Sequence, residues 1–290
     1  MRIVVTGGAG FIGSHIAVYL KERGFKTVAV DSLERASGVE RLERAGVPLI
    51  KGDVRSADLP HADAVIHAAA YISVEESWER PYEYMWNNVA ATAKVAKQCA
   101  DMGAHLIYIS SAAVYGEPQR IPTSEDHPTR PLSPYGLSKL AGEQVAQMLA
   151  PKTAVLRLFN VYGPSQTGLY AGVIAKFLER AKRGLPPVVF GDGGQTRDFI
   201  HVSDVVRFVE VVLERGVAGV FNVGTGRAAS IRELADLVIR LARLDGGPVY
   251  APPRPGDIKH SVADITRARR LGWEPRVRIE EGLRELWATW

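Results

Sequence analysis

A glycine-rich turn near the amino terminus constrains the fold more than any other feature of this chain. Gly7, Gly10 and Gly13 follow an apolar, strand-like run at residues 3–5 and precede an amphipathic, helix-like stretch. Glycine allows a tight turn off the strand, a close approach of phosphate to the backbone, and close packing of helix on sheet. The free amides at the start of the helix favour an anion there. The sequence therefore predicts a strand, turn and helix that hold the pyrophosphate of a dinucleotide.

An acidic residue at the end of the next predicted strand indicates which dinucleotide is bound. Asp31 closes the apolar run at residues 27–30, about twenty residues beyond the turn, as in dinucleotide-binding βαβ units. A carboxylate in this position accepts hydrogen bonds from both ribose hydroxyls and repels a 2′-phosphate, so we predict NAD rather than NADP. Arg35 leaves a second interpretation open, because its side chain can either turn toward a 2′-phosphate or remain solvated at the surface.

Two further strand ends are predicted to complete the cofactor site. Asp53 and Val54 follow the third apolar run, and small alanines follow the fourth. Small side chains allow the backbone to approach the adenine and the central part of a dinucleotide closely. The predicted cofactor contacts from these segments are Gly7, Gly10, Phe11, Ile12, Gly13, Asp31, Asp53, Val54, Ala68 and Ala69.

Short apolar runs alternate with helical stretches as far as about residue 157. This rhythm is typical of an α/β fold, a Rossmann-type doubly wound parallel sheet with helices on both faces. Beyond residue 160, prolines and glycines interrupt it, which predicts a smaller C-terminal substrate-binding lobe. The predicted strands include residues 47–50, 64–67, 106–109 and 154–158, and the predicted helices 11–23, 81–102 and 134–149. The predicted domains are 1–161 for the cofactor and 162–290 for the substrate, with a segment near 199–218 returning to the first.

Composition excludes several classes of function. No apolar run approaches the ~20 residues of a membrane span, and the first strand begins directly after Met1, so we expect no signal segment and no membrane partner. The single cysteine, Cys99, cannot form an internal disulfide, which favours the reducing cytoplasm. Its position in the sequence predicts a packing role on a helix. The 36 basic residues are interleaved with 32 acidic ones, so we predict no nucleic-acid partner. No metal site is predicted.

The strongest chemical signal is a tyrosine and a lysine spaced four apart in a predicted helix. Tyr135 and Lys139 therefore share one helix face. An unperturbed tyrosine titrates near ~10, and both a neighbouring ammonium and a positively charged nicotinamide ring are expected to lower that pKa, so that the phenolate can act as a base. Ser111 ends the fifth predicted strand, where its hydroxyl can bond the same substrate oxygen. The three residues predict a dehydrogenase-type active site.

Taken together, these motifs resemble those of the extended short-chain dehydrogenase/reductase family, and most of all its NAD-dependent nucleotide-sugar 4-epimerases. The resemblance covers nearly the whole chain. The segments that carry it are residues 5–13, 87–89, 110–116, 133–139, 156–164, 191–193, 195–199, 222–224 and 254–257.

The resemblance implies that the chain inverts C4 of a UDP-sugar, with galactose and glucose as the default pair, by transient hydride transfer to tightly bound NAD. It implies a homodimer assembled through the helices that begin at Pro81 and Pro134. It also implies that Asn88, Tyr135 and Lys139 contact the cofactor. The implied catalytic residues are Ser111, Tyr135 and Lys139, and the implied substrate contacts are Ser111, Asn160, Arg197, Arg254, Asp257 and Ser261.

Particular positions refine this reading. Ala112 and Ala113 stand where the family's 4,6-dehydratases carry an acid pair, so dehydration is not expected. Ile72 stands where some epimerases present a lysine. Ser261 is small, and by comparison with related epimerases it is expected to leave room for an N-acetyl group at sugar C2. Two other functions stay open: another nucleotide-sugar enzyme of the family, such as a decarboxylase or reductase, and a non-catalytic NAD-sensing regulator. A complete set of Ser111, Tyr135 and Lys139 argues against the regulator.

Overall fold

The computed structural model describes residues 1–166, 172–253 and 258–289. Its strands are β1 (Arg2–Thr6), β2 (Lys26–Asp31), β3 (Leu49–Lys51), β4 (Ala64–His67), β5 (His105–Ser111), β6 (Thr153–Leu158), β7 (Asn160–Tyr162), β8 (Val188–Phe190), β9 (Thr196–Arg197), β10 (Phe199–His201), β11 (Gly219–Val223), β12 (Ala229–Ser230), β13 (Val249–Ala251) and β14 (His260–Ser261). Its α-helices are α1 (Phe11–Glu22), α2 (Val39–Arg44), α3 (Val74–Glu79), α4 (Pro81–Met85), α5 (Ala91–Met102), α6 (Pro134–Leu149), α7 (Val173–Lys182), α8 (Val202–Arg215), α9 (Ile231–Ala242), α10 (Thr266–Arg270) and α11 (Ile279–Thr289).

One large sheet has the strand order β11-β6-β5-β4-β1-β2-β3. Neighbouring strands from β3 to β6 run parallel. Val4, Val65 and Ile66 are buried, as expected for β-branched side chains in a sheet covered on both faces. The prediction of an α/β, Rossmann-type doubly wound sheet is confirmed. The strand order reverses between β1 and β4, and ligands of such sheets bind outside the carboxyl ends of the strands at this point.

The helix that carries the predicted catalytic pair spans Pro134–Leu149, as predicted. Pro134 fits the first helical position because its missing N–H would have no intrahelical partner. The Ser133 side chain caps the helix by accepting a hydrogen bond from the Gly136 amide at 3.0 Å. The start of α6, and with it Tyr135, is therefore fixed by local sequence.

The predicted helix at residues 81–102 is not one regular α-helix. A five-residue π-helical stretch, Trp86–Ala90, separates α4 from α5. The buried Asn88 lies in this stretch. Its side-chain amide forms hydrogen bonds with the backbone N–H and C=O of Tyr71 instead of with solvent. The wider π-helical turn thus coincides with a buried polar side chain whose hydrogen bonds are made with another part of the fold. The helical periodicity of the sequence does not reveal such a turn.

The described chain packs as two compact units. The first comprises Met1–Gly116, Pro128–Leu158 and Val206–Phe221, and the second comprises Glu117–His127, Phe159–Val205 and Asn222–Trp290. The core of the first unit lies between the large sheet and its helices, and the core of the second is built by α7, α9 and α11. Each unit contains one part of the predicted site, and each is described separately below.

Candidate functional site

The glycine-rich turn forms a narrow backbone cradle in the first unit. Gly7 has φ +64°, and a Cβ atom there would lie 2.5 Å from the backbone nitrogen of Ala69. A Cβ atom on Gly13 would lie 2.1 Å from the Gly7 carbonyl oxygen. Neither position therefore accepts a larger residue without backbone movement. The turn opens on a cavity whose lining includes the predicted residues Gly7, Gly10, Asp31, Asp53, Val54, Ala68 and Ala69.

Asp31 is held at the wall of this cavity by backbone amides. Its Oδ2 accepts a hydrogen bond from the Ala9 amide at 3.0 Å, and its Oδ1 accepts one from the Leu33 amide at 2.8 Å. These bonds fix the orientation of a nearly buried carboxylate, which keeps free lone pairs for ribose hydroxyls. The glycine cradle and the fixed carboxylate together fit a dinucleotide.

The three predicted catalytic residues lie on adjoining elements of the first unit. Ser111 ends β5, Tyr135 lies in the first turn of α6, and Lys139 follows one turn later. The Ser111 side chain lies close enough to the Tyr135 phenol to lower its pKa. The Ser111 Oγ also accepts a hydrogen bond from the Ala113 amide at 3.1 Å, so the hydroxyl is fixed in place. The structure brings the serine and the tyrosine together as predicted from their order in the chain.

The pKa values differ from the expectation of a lowered tyrosine pKa. Burial raises the pKa of Tyr135, and the nearby Ser111 side chain opposes this shift only in part. Burial lowers the pKa of Lys139 to about 7, and the carboxylate of Glu143 opposes this shift. The Lys139 Nζ lies 4.3 Å from the centre of the Tyr108 ring. In the chain by itself, removal from water therefore sets the direction of both pKa shifts, since burial disfavours both charged forms.

A buried ion pair next to the predicted catalytic residues was missed by the sequence analysis. Glu143 and Arg157 are 2 % and 6 % exposed, and their side chains are joined by hydrogen bonds of 2.7 and 3.0 Å. Glu143 also accepts a hydrogen bond from Ser110. Arg157 donates to the Tyr115 hydroxyl at 3.0 Å. This network ties β5, α6 and β6 together, and its only signal in the sequence is Glu143, four residues after Lys139.

Asn88 is engaged by the fold. Its Oδ1 accepts a hydrogen bond from the Tyr71 amide at 2.8 Å, and its Nδ2 donates to the Tyr71 carbonyl and to the Ser138 hydroxyl, each at 2.9 Å. The cavity beside the glycine cradle is lined instead by the neighbouring Asn87. The contact of Asn88 with the cofactor stays a prediction, whereas its link between α6 and the loop after β4 is observed.

The histidine at the end of β4 is a structural group. His67 is buried between Thr6 and Thr92, with ring nitrogen to hydroxyl distances of 2.7 and 3.0 Å. Burial, together with the charge of Lys139, lowers the pKa of His67 to about 3, so the ring is neutral. Cys99 is likewise buried, and burial raises the pKa of its thiol to about 12. The prediction that Cys99 has a packing role on a helix is confirmed, because the residue lies on the buried side of α5.

The second unit contains a cavity of about 480 Å³ next to two of the predicted substrate residues. Asn160 and Arg197 line it, with the aromatic rings of Phe177 and Phe190 and the side chain of Ile231. The cavity thus presents a guanidinium and an amide beside apolar and aromatic surface, a combination suited to a nucleotide. The charged residues Lys176, Glu179, Arg180 and Arg183 also line it.

The remaining predicted substrate residues have different outcomes. Ser261 lies in β14, in parallel register beside Arg197 of β9. Arg254 and Asp257 lie outside the described residues. Asp198, next to Arg197, is fully buried and accepts hydrogen bonds from the amides of Thr225 and Gly226 at 2.7 and 2.9 Å. It therefore fixes the strand that carries Arg197.

Among residues 1–166, 172–253 and 258–289, no helix is both long and apolar enough to cross a membrane. The same residues contain no group of three His, Cys, Asp or Glu side chains placed to hold a metal ion.

Comparisons with known proteins identify the family of the chain. The model of the NAD dependent epimerase/dehydratase family matches residues 3–224. The structure of UDP-glucose 4-epimerase from Thermotoga maritima with UDP-glucose is 37% identical, with a TM-score of 0.94 over 99% of this chain and 98% of that one. A UDP-N-acetylglucosamine 4-epimerase from Methanobrevibacter ruminantium in complex with UDP-N-acetylmuramic acid is 36% identical, with the same TM-score and coverage. The Thermus thermophilus UDP-glucose 4-epimerase complex with NAD is 35% identical, with a TM-score of 0.88 over 99% of this chain and 98% of that one.

Proposed function

Because the chain belongs to the NAD-dependent epimerase/dehydratase family, we propose that it inverts C4 of a UDP-sugar and interconverts UDP-galactose and UDP-glucose. The observation that carries this proposal is that Ser111, at the end of β5, lies close to the Tyr135 phenol, with Lys139 one helical turn further along α6. Ala112 and Ala113 follow the serine in a short 3-10 turn. Alanine cannot protonate a leaving hydroxyl, so this site favours epimerisation over dehydration.

NAD is the cofactor of this enzyme, and its site is the glycine cradle with Asp31. The amides at the start of α1 would meet the pyrophosphate, Asp31 would accept hydrogen bonds from the adenosine ribose, and Lys139 would bond the nicotinamide ribose. The chemistry that NAD supplies when bound is reversible hydride transfer at C4 of the sugar.

The chain itself supplies proton transfer and substrate positioning. Tyr135, as phenolate, accepts the proton of the sugar 4-hydroxyl and returns it after C4 has been reduced on its opposite face. Ser111 bonds the same oxygen and relays the proton. In this proposal Lys139, when ionised, stabilises the phenolate and so offsets the effect of burial on the pKa of Tyr135.

Asn160 and Arg197 are proposed to bind the nucleotide diphosphate in the cavity of the second unit. A guanidinium forms two parallel hydrogen bonds with a phosphate, and the apolar lining suits the base. Arg254 and Asp257 are proposed for the same ligand from the resemblance of their segment to the family. The proposal also includes a cytoplasmic location, because the buried Cys99 thiol has no disulfide partner.

The purified protein tests the proposal directly. Incubated with UDP-galactose and no added dinucleotide, it should produce UDP-glucose until the two sugars reach equilibrium, because the resident NAD is regenerated in each turnover. Denatured protein should release NAD. A preparation that contains NAD but leaves UDP-galactose unchanged would contradict the proposed reaction.

We also propose that the enzyme is a homodimer. Large apolar side chains are exposed along α4, the π-helical stretch and α6 of the first unit: Tyr82 is 73% exposed, Trp86 51%, Leu137 48% and Met148 79%. A second copy related by two-fold symmetry would cover this surface with the same helices. Light scattering at micromolar concentration should give twice 31.6 kDa, and Met148→Glu should shift the mass toward the monomer. A monomeric wild type would contradict the dimer.

The small side chain of Ser261 predicts which sugars are accepted. The residue lies beside Arg197 in the β9–β14 pair, on the unit that is proposed to bind the substrate. We expect the enzyme to epimerise UDP-N-acetylglucosamine as well as UDP-glucose. Ser261→Tyr should reduce the N-acetyl activity by at least about tenfold and leave the glucose activity largely intact, since an added side chain excludes the larger substituent. Ser261→Thr serves as the control. Parallel changes in both activities would show that Ser261 does not select the sugar.

A further inference from the structure

A network of charged and aromatic side chains joins two loops beside the cofactor cavity. Arg35, in the loop after β2, donates from both terminal nitrogens to the two carboxylate oxygens of Glu76 on α3, each at 2.8 Å. The guanidinium carbon lies 3.8 Å from the centre of the Tyr71 ring. The Tyr71 hydroxyl donates in turn to Glu34 at 2.9 Å. Arg35 is thus held by a two-pronged ion pair on one side and an aromatic ring on the other.

Glu76 is itself firmly positioned. The Tyr84 hydroxyl donates to it at 2.9 Å and Arg80 at 3.1 Å. Its backbone amide donates to the side chain of Ser73, which caps α3. The side chains of Arg35 and Glu76 are only 21% and 20% exposed. Limited exposure and fixed geometry distinguish this pair from the flexible ion pairs of the surface, which contribute little.

The position of Arg35 gives this pair a consequence for cofactor choice. Arg35 follows Asp31 by four residues, and both line the cofactor cavity. In dinucleotide-binding folds a carboxylate at the end of the second strand binds the ribose of NAD, whereas a nearby arginine accommodates the 2′-phosphate of NADP. This chain carries both residues, so the sequence around Asp31 does not by itself decide between the two dinucleotides.

We propose that Glu76 is a specificity-determining residue for the cofactor, because it holds Arg35 in a two-pronged pair and so withholds the guanidinium from a 2′-phosphate. Asp31 then faces the ribose without a competing cation, and NADP is rejected. The proposal rests on the proposed function only in assigning this cavity to a nicotinamide dinucleotide. It concerns binding and does not depend on which sugar is converted.

Binding of the two dinucleotides to the full chain tests this role. Calorimetry on protein freed of resident nucleotide should show that Glu76→Gln raises the affinity for NADP about tenfold, or ~1.4 kcal/mol, and changes that for NAD by less than about threefold. Glu79→Gln is the matched control, because Glu79 is an exposed carboxylate on the same helix. Adding Arg35→Met to Glu76→Gln should abolish the gain. No gain in Glu76→Gln, or a gain that persists without Arg35, would overturn the proposal.

A second variant covers a failure of Glu76→Gln to fold. Arg35→Lys keeps the positive charge but cannot form the two-pronged pair with Glu76, so it should also raise the affinity for NADP, whereas Arg35→Met should not. Equal NADP affinities in the lysine and methionine variants would overturn the proposal. An enzyme that binds NAD tightly but does not convert UDP-galactose would contradict the proposed reaction and leave these binding results decisive for Glu76.

Discussion

Tyr135→Phe is expected to reduce turnover of UDP-galactose by roughly 10²–10⁴-fold, the range of general acid–base catalysis. The substitution keeps the ring and removes only the hydroxyl that lies near Ser111. Because the phenolate is the proposed base and the ring packing is unchanged, the loss should fall on kcat, with little change in KM. Steady-state kinetics together with the NAD content of the purified variant measure both effects.

The control for this variant is Tyr250→Phe. Tyr250 is 49% exposed in β13, so loss of its hydroxyl should leave kcat unchanged within a factor of about two, the level expected for a surface side chain away from the site. Near-wild-type turnover in Tyr135→Phe would remove Tyr135 from the mechanism. A loss of turnover that is matched by a loss of bound NAD would assign the residue to cofactor binding instead.

The largest effect on stability is expected from the ion pair behind the active site. Arg157→Met should lower the free energy of unfolding by about 3–5 kcal/mol, because it leaves the carboxylate of Glu143 buried without its partner. Glu143 would keep only the hydrogen bond from Ser110 among its observed side-chain bonds, and Tyr115 would lose its donor. Urea unfolding followed by circular dichroism gives the change, with the slope of the transition as a check on the unfolding model.

Two comparisons separate this effect from a general loss of arginine. Arg183→Met removes an exposed pair with Glu179, whose side chains are 68% and 53% exposed, and should change stability by about 0.5 kcal/mol or less. Combining Glu143→Met with Arg157→Met should recover part of the loss, since no unpaired charge is then buried. If the Arg157→Met single variant were as stable as wild type, solvent or another group would have to form hydrogen bonds with the Glu143 carboxylate in place of Arg157.

Local sequence was sufficient for the parts of the site that are held by neighbouring residues. Gly7 is required by its φ of +64°, and Gly13 by its close approach to the Gly7 carbonyl in the same turn. The bounds of α6 follow from Ser133, from Pro134 and from the apolar periodicity after them. The spacing of Tyr135 and Lys139 fixes their common face by helix geometry alone. Each of these inferences depends on the period or the start of a single element.

The pKa shifts of the site could not be predicted from local sequence. The sequence indicated a tyrosine beside a lysine, but burial raises the pKa of Tyr135 and lowers that of Lys139. Burial depends on β4, β5 and α6 packing around these groups, and spacing along one helix carries no information on that. The hydrogen bonds of the Asn88 side-chain amide with Tyr71 and Ser138 likewise could not be inferred from spacing along one helix.

The two ion pairs beside the cofactor cavity and the proposed catalytic residues join positions that are distant in the chain. Arg35 and Glu76 are 41 residues apart, and Arg157 and Glu143 are 14 residues apart on different elements. Many other carboxylates were available to each arginine in a chain with 32 acidic residues. The sequence by itself determined the sheet, the glycine cradle and the common helix face of Tyr135 and Lys139, since these follow from local periodicity and glycine geometry. Only the tertiary structure decided which charge meets which, because partners are selected by the packing of separate strands and helices.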